Sequence, residues 1–247
     1  MCGIAGVSGS NAVMKSLLIT VNQLERGTQG CGCAWVRGRK IKYLKEATHP
    51  VAYMCKHVSH LPKDVNVAIS HNRLPSKGRV CYENTHPFIS CDKSFALIHN
   101  GHSFTHGLEM KLKWSGHRIQ GETDSEMVMH LLEELLEGGR DMVEALTELH
   151  CYGFQGALLV LTREGEIYGV REGHYPIVFA EHKGEVYVAS TEKALRALVG
   201  DDVEVRSLKQ RQVLYVRGRK CEVIGRGIDD FFAELRRSWR GVWYDLF

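Results

Sequence analysis

Apolar and polar positions along the chain alternate in short blocks. β-type apolar runs occur at 2–7, 31–36, 65–71, 95–99, 156–162, 167–170, 176–180, 186–190 and 213–216. Turn pairs divide many of them, among them Arg37-Gly38, Glu164-Gly165, Lys183-Gly184 and Arg217-Gly218, which predicts antiparallel hairpins. Val-Arg-Gly-Arg-Lys stands at both 36–40 and 216–220 with nothing around it repeated, so one hairpin turn is expected twice. Helix periodicity is clear in two places. Met14, Leu17, Leu18, Val21 and Leu24 follow a polar Ser10-Asn11 start. Met127, Val128, Leu131, Leu132, Leu135 and Leu136 form a second stripe, closed by Gly138-Gly139. Thr123-Asp124-Ser125-Glu126 opens that helix and matches the capping-box pattern. Helices in blocks between hairpins predict an α+β chain, helix layers over antiparallel sheets, in place of alternating βαβ units. No linker or composition shift divides residues 1–247, so one domain is expected.

Composition narrows the function classes. The chain has 247 residues, 44% apolar and 25% charged, which is ordinary for a globular protein with a sizeable core. Its longest apolar run, Ala157 to Leu161, is far too short for a membrane span. No secretory signal is visible, and a cytoplasmic protein is expected. A net charge of +3 from 32 basic and 29 acidic residues gives no nucleic-acid footprint. Eight cysteines include no C-x-x-C pair, and Cys31-x-Cys33 lacks a second pair at zinc-ribbon spacing. His99, His102 and His106 match no zinc-binding helix motif, so no metal is expected.

The first residues carry chemistry. In Met1-Cys2-Gly3-Ile4-Ala5-Gly6, removal of the initiator would leave cysteine at the amino terminus. Such a residue joins a thiol nucleophile to an α-amine that titrates near about pH 8 and can take the thiol proton. Taken alone, Cys2 reads first as a small apolar residue opening an edge strand. Other segments accompany it: Arg26-Gly27 with Gly30 and Gly32, His71-Asn72-Arg73-Leu74, His86-Pro87-Phe88, His99-Asn100-Gly101 and Thr123-Asp124-Ser125-Glu126. Weaker echoes stand at Arg171-Glu172-Gly173 and Ala189-Ser190-Thr191-Glu192. In this order and spacing, from residue 2 to about 195, the chain resembles the class II glutamine amidotransferases. These N-terminal-nucleophile (Ntn) hydrolases form the glutaminase part of asparagine synthetase, glutamate synthase, amidophosphoribosyltransferase and glucosamine-phosphate synthase.

The resemblance implies a four-layer αββα sandwich of two antiparallel sheets and hydrolysis of L-glutamine through a Cys2 thioester, with no cofactor. It places the Asn100 amide and the Gly101 N–H at the oxyanion, donors that an Asn-Gly turn could present together; a plain hairpin turn is the other reading of that pair. Free glutamine carries a carboxylate and an ammonium. Arg73 suits the first because a guanidinium grips a carboxylate with two parallel bonds, and Ser76 resembles a second carboxylate contact. Asp124 is the expected partner of the ammonium, although an acid in a first helical turn is favourable on dipole grounds alone. Arg26 and Gly27 resemble a segment supporting the nucleophile's strand. His71 and His86 support the site or are structural histidines. Lys77 and the stretch 102–106 depart from the family pattern around the pocket.

Beyond about residue 195 no acceptor-converting unit is visible, nor any G-x-x-x-x-G-K-[ST] motif. A free-standing glutaminase subunit is therefore expected, passing ammonia to a separate acceptor subunit, as in glutamate synthases built from split subunits; homo-oligomerisation is left open. Two alternatives stand beside it: an N-terminal-cysteine amidase acting on another amide, and a non-catalytic regulator that keeps Met1. In the tail 229–247, Phe231, Leu235, Trp239 and Trp243 sit four apart, which predicts an apolar helix edge that either packs on the sandwich or docks the acceptor subunit.

Overall fold

The structure, a computed structural model, describes residues 1–103 and 107–225. His106 and the tail 229–247 lie outside the described residues. The chain runs β1 (Gly3–Ser8), α1 (Ala12–Val21), β2 (Cys31–Arg37), β3 (Lys40–Glu46), α2 (Pro50–His57), β4 (Val67–Asn72), β5 (Phe88–Ile89) and β6 (Phe95–Ser103). It continues through α3 (Leu108–Trp114), α4 (Asp124–Glu137), α5 (Met142–Glu148), β7 (Phe154–Thr162), β8 (Glu166–Glu172), β9 (Val178–His182) and β10 (Glu185–Ala189). The last described elements are α6 (Glu192–Val199), β11 (Arg206–Ser207), β12 (Val213–Arg217) and β13 (Lys220–Ile224).

The strands form two antiparallel sheets, ordered β11-β9-β10-β1-β4-β2-β3 and β13-β12-β8-β7-β6-β5. Strand alternation sends one side chain set between the sheets and the other beneath the helices, so three apolar layers result. Ile4, Ile69, Ile98 and Leu159 fill the space between the sheets. Leu17, Tyr53 and Leu195 pack α1, α2 and α6 on the first sheet, and Leu132, Leu146 and Leu158 join α4 and α5 to the second. This is the four-layer αββα sandwich expected from the sequence. The predicted hairpins form at all four turn pairs, and the repeated pentapeptide does serve two turns, with Gly38 and Gly218 both at φ 58°. Cys31 and Cys33 are buried in the α1 layer, and all eight cysteines are free.

Two local expectations are corrected. Asn100-Gly101 is no hairpin turn: both residues lie inside β6, opposite Ala157 and Gly156 of β7. The glycine serves close approach instead, since a Cβ there would stand 2.2 Å from the Gln155 carbonyl oxygen. The capping box at Thr123 does not form. Glu126 accepts from the amides of Gln120 and Gly121 at 2.8 and 2.7 Å, and the buried Thr123 hydroxyl has no partner. The loop entering α4 thus engages Glu126 one turn earlier than the pattern implied.

Candidate active site

The ends of β1 and β4 meet in register, Gly3 opposite Asn72 and Ile4 opposite His71. Cys2 therefore stands just outside the sheet, beside the point where the chain leaves β4 as Arg73-Leu74. Its thiol faces the backbone of Leu74, donating to the carbonyl at 3.4 Å and receiving the amide at 3.3 Å. Burial pushes the thiol above its ordinary range; the Leu74 amide, the N-terminus, Arg73 and Arg26 pull it back.

Several side chains hold this strand end. Arg26 Nε donates to the Cys2 carbonyl at 2.8 Å, and Gln23 Nε2 to that of Ile4 at 3.0 Å. The buried Asn72 amide spans to the carbonyls of Gln23 and Gly27 at 2.9 and 2.8 Å. Gly27 runs against the Arg73 backbone so closely that a Cβ would stand 2.4 Å from its carbonyl carbon.

Contacts at opposite ends set the alignment of the two sheets. At one end Ser8 Oγ donates to the Gly218 carbonyl, and the Gly165 turn lies against Val67. At the other, His71 Nε2 stands 3.1 Å from the His99 carbonyl oxygen. The Cys2–Arg73 end of the first sheet therefore shares one edge of the sandwich with the Asn100–Ser103 end of β6. Here Asn100 is 1% exposed, yet neither atom of its carboxamide has a hydrogen-bond partner. An amide buried in this way and left unsatisfied costs roughly 1–3 kcal/mol, and its N–H donors are free for an incoming group.

The start of α4 closes the same edge. His99 Nδ1 lies 3.0 Å from Ser125 Oγ, and the buried Asp124 carboxylate accepts the Ser103 amide at 2.6 Å. Arg73 is buried, and its terminal nitrogens donate to the carbonyls of Arg79, Lys77 and Gly78 at 2.8, 2.9 and 3.3 Å. Those three bonds leave two of the guanidinium's five N–H donors for an incoming group. Ser76 sits exposed in the loop that Arg73 holds. His86 stacks on His71 with ring centroids 3.9 Å apart and meets Phe88 edge-on at 4.8 Å; its ring nitrogens have no partner. Burial drives both histidines toward the neutral form, His71 down to about 3.

A glutamine amidotransferase domain model matches residues 42–234, more than three quarters of the chain. The chain belongs to the class II glutamine amidotransferases. It is 34% identical to glutamine–fructose-6-phosphate aminotransferase (isomerizing) of Thermus thermophilus over 199 residues, covering 79% of this chain and 32% of that one. The corresponding enzyme of Pseudomonas syringae pv. tomato is 29% identical over 221 residues, covering 83% and 36%. The chain thus spans about a third of the length of these curated relatives. Among solved structures, glutamine phosphoribosylpyrophosphate amidotransferase from B. subtilis shares the fold with a TM-score of 0.77 at 23% identity, over 90% of this chain and 49% of that one. A class-II glutamine aminotransferase domain protein from Silicibacter pomeroyi gives 0.61 at 15% identity, over 92% and 100%.

In this glutamine amidotransferase domain, several residues at the site carry no signal in the sequence. Leu74 contacts the thiol only through its backbone, which leaves no trace in residue type. Asn72 lies in the His71-Asn72-Arg73-Leu74 segment, but its bridging of Gln23 and Gly27 depends on the fold. His99, which stands in the His99-Asn100-Gly101 segment, joins β6 to α4 and to β4. Among the described residues no helix is long and apolar enough to cross a membrane.

Proposed function

We propose that the chain hydrolyses L-glutamine to glutamate and ammonia through a thioester on Cys2, and that a separate acceptor-binding subunit receives the ammonia. The observation that carries this reading is the buried, unpartnered Asn100 carboxamide on the edge shared with the Cys2 thiol.

With Met1 removed, the α-amine belongs to Cys2 itself and takes the thiol proton. The thiolate then adds to the substrate carboxamide carbon. Asn100 Nδ2 and the Gly101 N–H donate to the oxyanion, and being held by β6 they need no reorganisation as charge develops. The protonated amine hands its proton to the leaving nitrogen, the C–N bond breaks, and ammonia departs. Water, deprotonated by the same amine, adds to the thioester, and collapse releases glutamate and restores the thiol. Arg73 holds the substrate carboxylate, assisted by Ser76 in the loop it orders, and Asp124 pairs with the ammonium. Arg26, Gly27, His71 and His86 position these groups without touching the reacting atoms. The Arg73–Asp124 pair favours a free amino acid over an acyl amide, which has no ammonium to bind.

A glutamine-to-glutamate assay on the full chain, with its N-terminus verified by intact mass, tests the reading. Turnover that is lost in Cys2→Ala supports it. Turnover that survives the substitution refutes it.

A further inference from the structure

Outside that constellation, α4 carries a second set of chemically capable side chains. His130 and Glu133 lie one helical turn apart on it. Cys91 comes from the turn between β5 and β6, and His117 from the stretch between α3 and α4. One donor atom from each of the four lies within 4.8 Å of all the others. Cys91 Sγ is 3.7 Å from Nδ1 of both histidines, and Glu133 Oε2 is 3.2 Å from His117 Nδ1 and 2.6 Å from His130 Nδ1.

These separations are close to those of a coordination tetrahedron. Sulfur, nitrogen and oxygen ligands at zinc's usual bond lengths stand about 3.3–3.6 Å apart, so the short His130–Glu133 edge must open while every donor pair already lies within 4.8 Å. The donors are also aimed. The amide of Cys91 donates to Glu133 Oε1, which leaves Oε2 directed at the cluster. His117 Nε2 lies 3.0 Å from Glu134 Oε1, the carboxylate–imidazole arrangement that fixes a ligating tautomer. His130 and Glu133 are buried, and the Nε2 of His130 meets no polar partner, so its Nδ1 edge is the one the fold addresses. One thiolate, one carboxylate and two neutral imidazoles carry charge −2, the match for a divalent ion. A sulfur among nitrogen and oxygen ligands in tetrahedral array selects zinc over magnesium or calcium.

We propose that Cys91, His117, His130 and Glu133 bind one zinc ion and that this closed, four-ligand site staples the β5–β6 turn and the loop before α4 to the helix. That loop runs into Asp124, so the ion would steady the α4 end of the catalytic edge without taking part in the chemistry. Sequence spacing gave no hint, because the four ligands come from three segments spread over 42 residues. The proposal does not depend on the glutaminase reading.

Cobalt(II) titration of the full chain, stripped of metal and kept reduced, tests it. The expected result is intense visible bands of tetrahedral cobalt and a thiolate charge-transfer band, saturating at one equivalent and displaced by zinc. Cys91→Ser, at an exposed position, should abolish the charge-transfer band, while Cys2→Ala keeps it. Glu134→Gln should weaken binding about ten- to a hundredfold through the lost His117 contact. The proposal is overturned by a weak, octahedral spectrum in the wild-type chain, by a charge-transfer band that persists in Cys91→Ser, or by one that vanishes in Cys2→Ala instead.

Discussion

His71 reaches across the sandwich to His99: its Nε2 stands 3.1 Å from the carbonyl oxygen, linking β4 of one sheet to β6 of the other. The facing atom is an acceptor, so Nε2 carries the proton and the ring donates. Arg73 follows His71 by two residues and Asn100 follows His99 by one. This buried bond helps set the height of the Cys2–Arg73 edge against Asn100 and Gly101, and a slip between the sheets would separate the proposed nucleophile from the proposed oxyanion donors.

The buried histidines make the fold acid-sensitive. His71 titrates at about 3 in the native state, against about 6.5 when unfolded, because burial disfavours its cation. Between those values the unfolded chain binds a proton that the native chain refuses. Stability is therefore full above the unfolded value and falls as pH drops toward 3, by about 1.4 kcal/mol per pH unit for each such group. Burial lowers His86 and His99 too, so several add. His71→Gln keeps an N–H donor without a titrating ring and should flatten the acid limb by about one histidine's slope. Urea unfolding across the weakly acidic range measures this; an unchanged slope would mean His71 is protonated in the fold.

Cys2→Ala should eliminate glutamine hydrolysis while leaving the melting temperature close to wild type, since the thiol's hydrogen bonds are the two weak ones to the Leu74 backbone. Retention of Met1 should be nearly as damaging, because it moves the free amine one residue from the thiol. Steady-state turnover of the processed and unprocessed forms, separated and identified by mass, compares the two.

Asn100→Ala and Arg73→Lys should part in their kinetics. The first removes the proposed oxyanion donor and should lower kcat by roughly a hundredfold or more, with KM little changed. Thermal stability should hardly fall, because the lost amide was unsatisfied. Arg73→Lys weakens the proposed carboxylate contact, which would be made equally in ground and transition states, and should mostly raise KM. The opposite split, KM moved by Asn100 and kcat by Arg73, would void both assignments.

Asp124→Asn keeps an oxygen for the Ser103 amide but loses the charge proposed to pair with the substrate ammonium. A contact to a charged group is worth about 1.5–3 kcal/mol, so kcat/KM should fall about ten- to a hundredfold. The melting temperature should hold. Loss of stability with unchanged kcat/KM would make Asp124 a helix-start residue alone.

Gly101→Ala should be poorly tolerated for a reason separate from chemistry. The added Cβ meets the Gln155 carbonyl oxygen at 2.2 Å and the Gly156 Cα at 2.5 Å, both backbone atoms of the paired strand. Overpacking of this kind costs about 1–3 kcal/mol or more, or a drop of several degrees in a domain of this size. Differential scanning calorimetry reads it directly; a variant that melts with the wild type would show that β6 and β7 part here at little cost.

Where periodicity is long or strands are buried, local pattern was enough. The stripe from Met127 to Leu136 and the runs around Ile4, Ile69, Ile98 and Leu159 repeat with the period of their own element, because one face must leave water. β3 escaped the reading since Lys40, Lys42 and Tyr43 of this edge strand are exposed or half-exposed and its sequence alternates weakly. The short helices α2, α5 and α6 escaped it too, because helices of seven or eight residues are held by packing and not by intrinsic propensity. The motif order from Cys2 to Asp124 named the candidate residues. It could not show that Asn100-Gly101 is strand and not turn, that Glu126 serves the loop amides, or that Arg73 already holds three carbonyls. Nor could it gather Cys91, His117, His130 and Glu133. Each of these depends on which distant segment lies opposite, and that is settled when two sheets and four layers pack, by contacts whose partners are tens of residues apart and leave no period in the chain.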